Sequence, residues 1–138
     1  MDSGVDANEL ITEWIHVTEQ AWEIGRSTLN RIIGVSIILP VFKLWDALPS
    51  NTTILLPLFS LGELSMVVIT YNALLSLKIV GERRIAVEKL IGVARNNGAE
   101  PGKLSTFLSF PRLHMVELVL HTVLGMMFLF IIYNSLDA

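Results

Sequence analysis

The chain contains no cysteine. Disulfides, thiolate chemistry and cysteine-ligated zinc or iron–sulfur centres are therefore excluded. Charge is scarce as well: 17% of residues are Asp, Glu, Lys or Arg, against about 25% in typical soluble domains. The first 25 residues carry no Lys or Arg, only acids: Asp2, Asp6, Glu9, Glu13, Glu19 and Glu23. A cleavable signal peptide needs a basic start, so none is expected. The first apolar segment, beginning near Thr28, reads instead as an uncleaved anchor. A net charge of −3 is too mild to argue for a nucleic-acid partner. A phosphate loop, a nucleophile elbow and paired catalytic carboxylates on one loop are all missing. No catalytic site of its own is expected.

What is present is apolar. Hydrophobic residues make up 52% of 138, with a mean hydropathy of +0.59. They gather in three segments. Ile54–Leu77 has Glu63 as its one ionisable residue and no polar stripe, which a soluble helix of that length would show. A hydrocarbon core of roughly 30 Å needs about 20 helical residues, so this segment can cross. Residues 113–136 form a second such run, with His114, Glu117 and His121 confined to its first half. Residues 29–48 form a less clean span. Arg31 lies near one end, Lys43 and Asp46 near the other, and Trp45 suits an interfacial belt. Pro40 predicts a kink there, and Lys43 and Asp46, three apart, are placed to pair.

Two further segments read as amphipathic helices. In residues 7–26, Leu10, Trp14, Val17, Ala21 and Ile24 recur at spacings of four and three, and acids fill much of the remainder. Residues 78–112 form a basic region holding seven of the ten Lys and Arg. Within it Val80, Val87, Ile91 and Ala94 fall on one face, while Arg84 and Glu88 can pair on another; this helix either stands apart or continues the second span without a break. The basic excess places this region, and with it the N-terminus, on the cytoplasmic side, leaving the C-terminus outside. The acidic and basic segments emerge together and are expected to pack on each other.

The expected architecture is all-α: one small polytopic membrane domain with three transmembrane helices and two amphipathic helices on the cytoplasmic side. The turn LPSNTT closes the first two spans into a hairpin. Asn51-Thr52-Thr53 also matches the N-glycosylation pattern, but so close to the membrane it is not expected to be used.

Ionisable groups within a membrane are functional candidates, because a charge there costs several kcal/mol unless paired or neutralised. Glu63, Thr70, Glu117 and His121 are the intramembrane candidates. His114, Glu117 and His121 share one helical face and have the chemistry of metal ligands. Glu63 lies about 9 Å from His121 along the membrane normal by helical rise, which exceeds one coordination shell. No cofactor is strongly implied; a metal ion is the one candidate. Arg83, Arg84, Lys89 and Arg95 are candidates for lipid headgroups or a partner.

The function expected is that of a small non-catalytic subunit of a larger membrane complex, with a structural, assembly or stabilising role. Its partners would be the bilayer and either other membrane subunits or further copies of itself. Two alternatives remain. One is a homo-oligomeric ion or proton channel lined by Glu63 and the His114/Glu117/His121 face. The other is a metal-binding subunit of a membrane enzyme.

Overall fold

A computed structural model describes residues 7–46, 48, 51–94 and 110–136. Three helices account for nearly all of them: α1 (Ala7–Leu44), α2 (Thr52–Ala94) and α3 (Phe110–Leu136). Each is long and apolar enough to cross a membrane, the mark of an integral membrane protein.

The two expected amphipathic helices do not exist as separate elements. Residues 7–26 are the first half of α1, and residues 78–94 continue α2 without a break. The physical reason is register. Along α1, buried positions run Leu10, Val17, Ala21, Gly25, Thr28, Ile32 and Leu39. Along α2 they run Phe59, Met66, Thr70, Ala73, Leu77, Arg84, Val87 and Ile91. Steps of three, four or seven hold one seam facing the partner through the whole length. Nothing at residues 24–31 or 77–80 requires the helix to stop.

α1 and α2 are antiparallel. At one end Leu10 packs with Val87 and Ile91. At the other Leu39 and Phe59 pack with Leu129 and Ile132 of α3. Between them Ala21, Ile32, Ala73, Leu77 and Leu118 join all three helices. α3 runs parallel to α1 and begins level with Trp22 and Gly25, where His114 packs. Beyond that level, α1 and α2 are the only described elements. They form a two-helix stem from residues 7–21 and 78–94. At 38 and 43 residues, α1 and α2 are about 57 and 65 Å long, far more than a hydrocarbon core needs. The surplus is the stem.

The expected pairing of the acidic and basic segments is present in this stem. Leu10, Val87 and Ile91 are its core, with Ile11 and Trp14 against them. Arg83 donates to Glu13 across the helix pair. Both side chains are substantially exposed, so the pair contributes about 0–1 kcal/mol and apolar burial does the rest.

Two details of the first span are corrected. α1 ends at Leu44, not residue 48. It closes with the Trp45 amide donating to the Val41 carbonyl at 3.2 Å and the Asp46 amide to the Lys43 carbonyl at 3.1 Å. Asp46 takes a left-handed conformation, φ 51°, which Asp tolerates better than most residues and which stops a helix. Asp46 therefore does not pair with Lys43. The Lys43 ammonium donates instead to Ser135 Oγ of α3 at 3.0 Å. Pro40 lies inside α1, which stays helical on both sides of it. Asn51 then caps α2. Its carbonyl accepts from Ile54 and Leu55, and its Oδ1 accepts from the Thr53 amide at 3.0 Å.

Candidate membrane-embedded polar sites

The intramembrane candidates do not form one connected site. Thr70 is buried and turned toward α3, where its hydroxyl meets that of Thr122. Thr122 Oγ1 donates to the Leu118 carbonyl at 2.7 Å. Its one proton is thereby used, so Thr70 is the donor of the interhelical bond. Ser60 returns its hydroxyl to the Leu56 carbonyl at 3.0 Å. Neither reaches Glu63. That residue is half-buried, beside Gly62, whose open face looks onto Leu129 and Leu39. Seven residues, or about 10 Å of helix, separate it from Thr70. Among the described residues the Glu63 carboxyl takes no hydrogen bond and no ion pair.

The histidine face also divides. His114 is buried, edge-on to Trp22 with ring centroids 4.5 Å apart. Its Nδ1 lies 3.5 Å from Glu117 Oε2, an ion pair when the ring is protonated. Gly25 makes room for that ring: a Cβ there would stand 3.3 Å from His114 Nδ1. His121 has turned back on its own helix, with Nδ1 2.9 Å from the Glu117 carbonyl. A carbonyl can only accept, so His121 Nδ1 carries the proton. Among the described residues no three His, Asp or Glu side chains gather as metal ligands would.

The basic candidates separate as well. Lys89 is exposed, Arg83 is held by Glu13, and Arg95 lies outside the described residues. Arg84 faces inward and has no exposed surface. Its guanidinium carbon stands 4.9 Å above the Trp14 ring, a cation–π contact. None of its three nitrogens finds a hydrogen-bond acceptor, nor does either buried oxygen of Glu88 find a donor, among the described residues. The stem lies beyond the apolar segments. Burial there pushes Arg84 below the usual guanidinium range, with the nearby Glu88 charge opposing. Burial pushes Glu88 above the usual carboxylate range, with Arg84 opposing.

A fourth feature is an open crevice of about 580 Å³ between α1 and α2, with no α3 residue in its wall. Gln20, Glu23, Ser27 and Arg31 line it from α1, Asn72 and Ser76 from α2. The sequence carries its signal in part, since these α1 residues recur at spacings of three and four. Thr122 and Trp22 carry no ionisable group, so the pattern of intramembrane charges does not point to them.

No protein-family model, curated protein or solved structure matches the chain.

Proposed function

We propose that the protein is a small non-catalytic subunit of a larger integral-membrane assembly, which it joins through its spans. The observation that carries this reading is Glu63. It sits near the middle of the apolar Ile54–Leu77 segment with no partner in its own chain among the described residues. A carboxyl at that depth requires a hydrogen-bond donor or a counter-charge, and the place left for one is another helix. The excess of Lys and Arg after Leu77 puts the stem on the cytoplasmic side and the C-terminus outside by the positive-inside rule. Glu63 makes α2 the element that carries the contact within the membrane.

Purification from native membranes in a gentle detergent, with mass spectrometry of what co-purifies, tests the reading. Other integral membrane proteins are expected at fixed stoichiometry. Glu63→Ala is expected to lower their recovery roughly tenfold, equivalent to one interhelical hydrogen bond of about 1–2 kcal/mol. Recovery of the chain alone, or unchanged recovery with Glu63→Ala, would sink it. Liposome flux abolished by Glu63→Gln would favour a channel in its place.

A further inference from the structure

The α1–α2 crevice holds unpaired opposite charges at two depths. Glu23 and Arg31 both line it, and neither has a hydrogen-bond or ion-pair partner among the described residues. The Asn72 side-chain amide, about level with Ser27 and so between the two charges in depth, has none either. The depths follow from the far boundary. Lys43 and Ser135, joined at 3.0 Å, mark the polar edge away from the stem. A hydrocarbon core of about 30 Å is 20 helical residues, which carries α1 from Lys43 back to Glu23. Glu23 therefore lies at the stem-side boundary. Arg31 lies eight residues, or about 12 Å, inside it.

Left open to hydrocarbon, Arg31 and Asn72 would each be costly. Something polar belongs in the crevice, and the charges choose it. A second copy inserted the same way would set residues of equal depth against each other. Glu23 would meet Glu23 and Arg31 would meet Arg31, which is repulsive. A headgroup of one negative charge would satisfy Arg31 and leave Glu23 bare. A zwitterionic phospholipid matches both, because its phosphate lies deeper than its amine. Arg31 reaches toward the boundary by snorkelling, which brings the two protein charges to within the span of such a headgroup. The crevice wall contains no aromatic ring, so it lacks the cage that selects a quaternary ammonium. Glu23 and Gln20 offer hydrogen-bond acceptors, which a primary ammonium uses and a trimethylated one cannot.

We propose that the crevice between α1 and α2 binds one phospholipid with a primary-ammonium headgroup, its phosphate on Arg31 and Asn72 and its ammonium on Glu23. Ser27 lies beside the phosphate, Ser76 stands at the level of Glu23 beside the ammonium, and Ile69 continues the wall toward the acyl chains.

Native mass spectrometry of the full chain tests this, using ethanolamine, choline and glycerol phospholipids of identical acyl composition. The expected result is one retained ethanolamine lipid per chain, roughly tenfold over choline, the effect of one charge-assisted hydrogen bond. Arg31→Gln should remove retention of both zwitterionic lipids. Glu23→Gln should keep phospholipid binding and erase the preference for ethanolamine. Circular dichroism of each variant establishes that helicity is intact, and Arg31→Lys is expected to rescue part of the retention. Equal retention of the three lipids by the wild-type chain would overturn the proposal. So would dimerisation that fills the crevice, or variants that keep the preference.

Discussion

Arg84→Ala is expected to destabilise the stem by about 2–5 kcal/mol, because truncating a long, fully buried side chain removes its packing and leaves a cavity. Arg84 has no exposed surface. It gives the stem its contact with the Trp14 ring and the counter-charge for Glu88. Truncation loses both and opens a cavity between two helices that bury little else there. Removing the two charges together reverses the sign. Neither Arg84 nor Glu88 has a hydrogen bond among the described residues, so their desolvation is poorly compensated. Arg84→Met with Glu88→Met is expected to stabilise the stem by about 1–4 kcal/mol. Hydrogen exchange at amides 80–94 reads the local opening free energy directly. A double variant less stable than Arg84→Ala alone would show that the pair is better solvated than its burial implies.

The same pair sets a pH dependence. Glu88 binds its proton more tightly folded than unfolded, because burial raises its pKa. Its contribution to stem stability is therefore fully present below the ordinary carboxylate range and is lost as pH rises through its raised folded value. Arg84 is shifted the other way, but it stays protonated in both states over that range and adds no slope. Glu88→Gln should remove the fall. The measured quantity is the wild-type minus variant difference in exchange protection against pH, which cancels the other carboxylates.

The second large effect is expected at Gly125. A Cβ there would lie 3.0 Å from Met66 Sδ and 3.3 Å from its Cε, with Ser36 Oγ at 3.6 Å. All three helices meet at this point, and Met66 is fully buried. Small residues permit such approach in membranes, where packing rather than apolar transfer holds helices together. Gly125→Ala presses only on a flexible thioether and should cost under about 1 kcal/mol. Gly125→Leu cannot be absorbed and should cost about 1–3 kcal/mol or more by overpacking, prising α3 from the hairpin. Gly34 has nothing within 4 Å of a built Cβ, so Gly34→Leu serves as the control. Thermal unfolding in detergent should separate the two leucine variants. Equal midpoints would mean that α3 does not pack at Gly125.

Much of the fold is legible in the sequence. The three apolar runs, the LPSNTT turn and the attraction of residues 10–24 for residues 80–94 all follow from periodicity and charge. Continuity is legible only as an alternative reading for α2 and not for α1, because hydropathy divides a helix where its surroundings change even when the backbone does not. Arg84 shows the same difficulty in one residue. Val80, Arg84, Val87 and Ile91 step by four, three and four, which is the buried seam. Charge suggests the solvent face instead, and only the Trp14 ring opposite makes the buried position tenable. Thr122 is invisible for another reason: a lone threonine gains meaning only from a partner, and Thr70 is 52 positions away. Helical spacing sets His114, Glu117 and His121 along one side of α3. Spacing does not reveal that His121 bonds its own backbone while His114 turns to Trp22.

The central claim is that α1 and α2 run unbroken past the membrane and pair as an antiparallel stem. The absence of native cysteine gives a direct test. Leu10→Cys with Val87→Cys joins two residues packed together in the seam of the stem, whereas Glu19→Cys with Lys89→Cys places the thiols about 16 Å apart along the stem. A disulfide needs Cα atoms within about 7 Å. Mild oxidation in native membranes should link the first pair within one chain and leave the second unlinked. Failure of the first pair, or equal linkage of both, would contradict the stem.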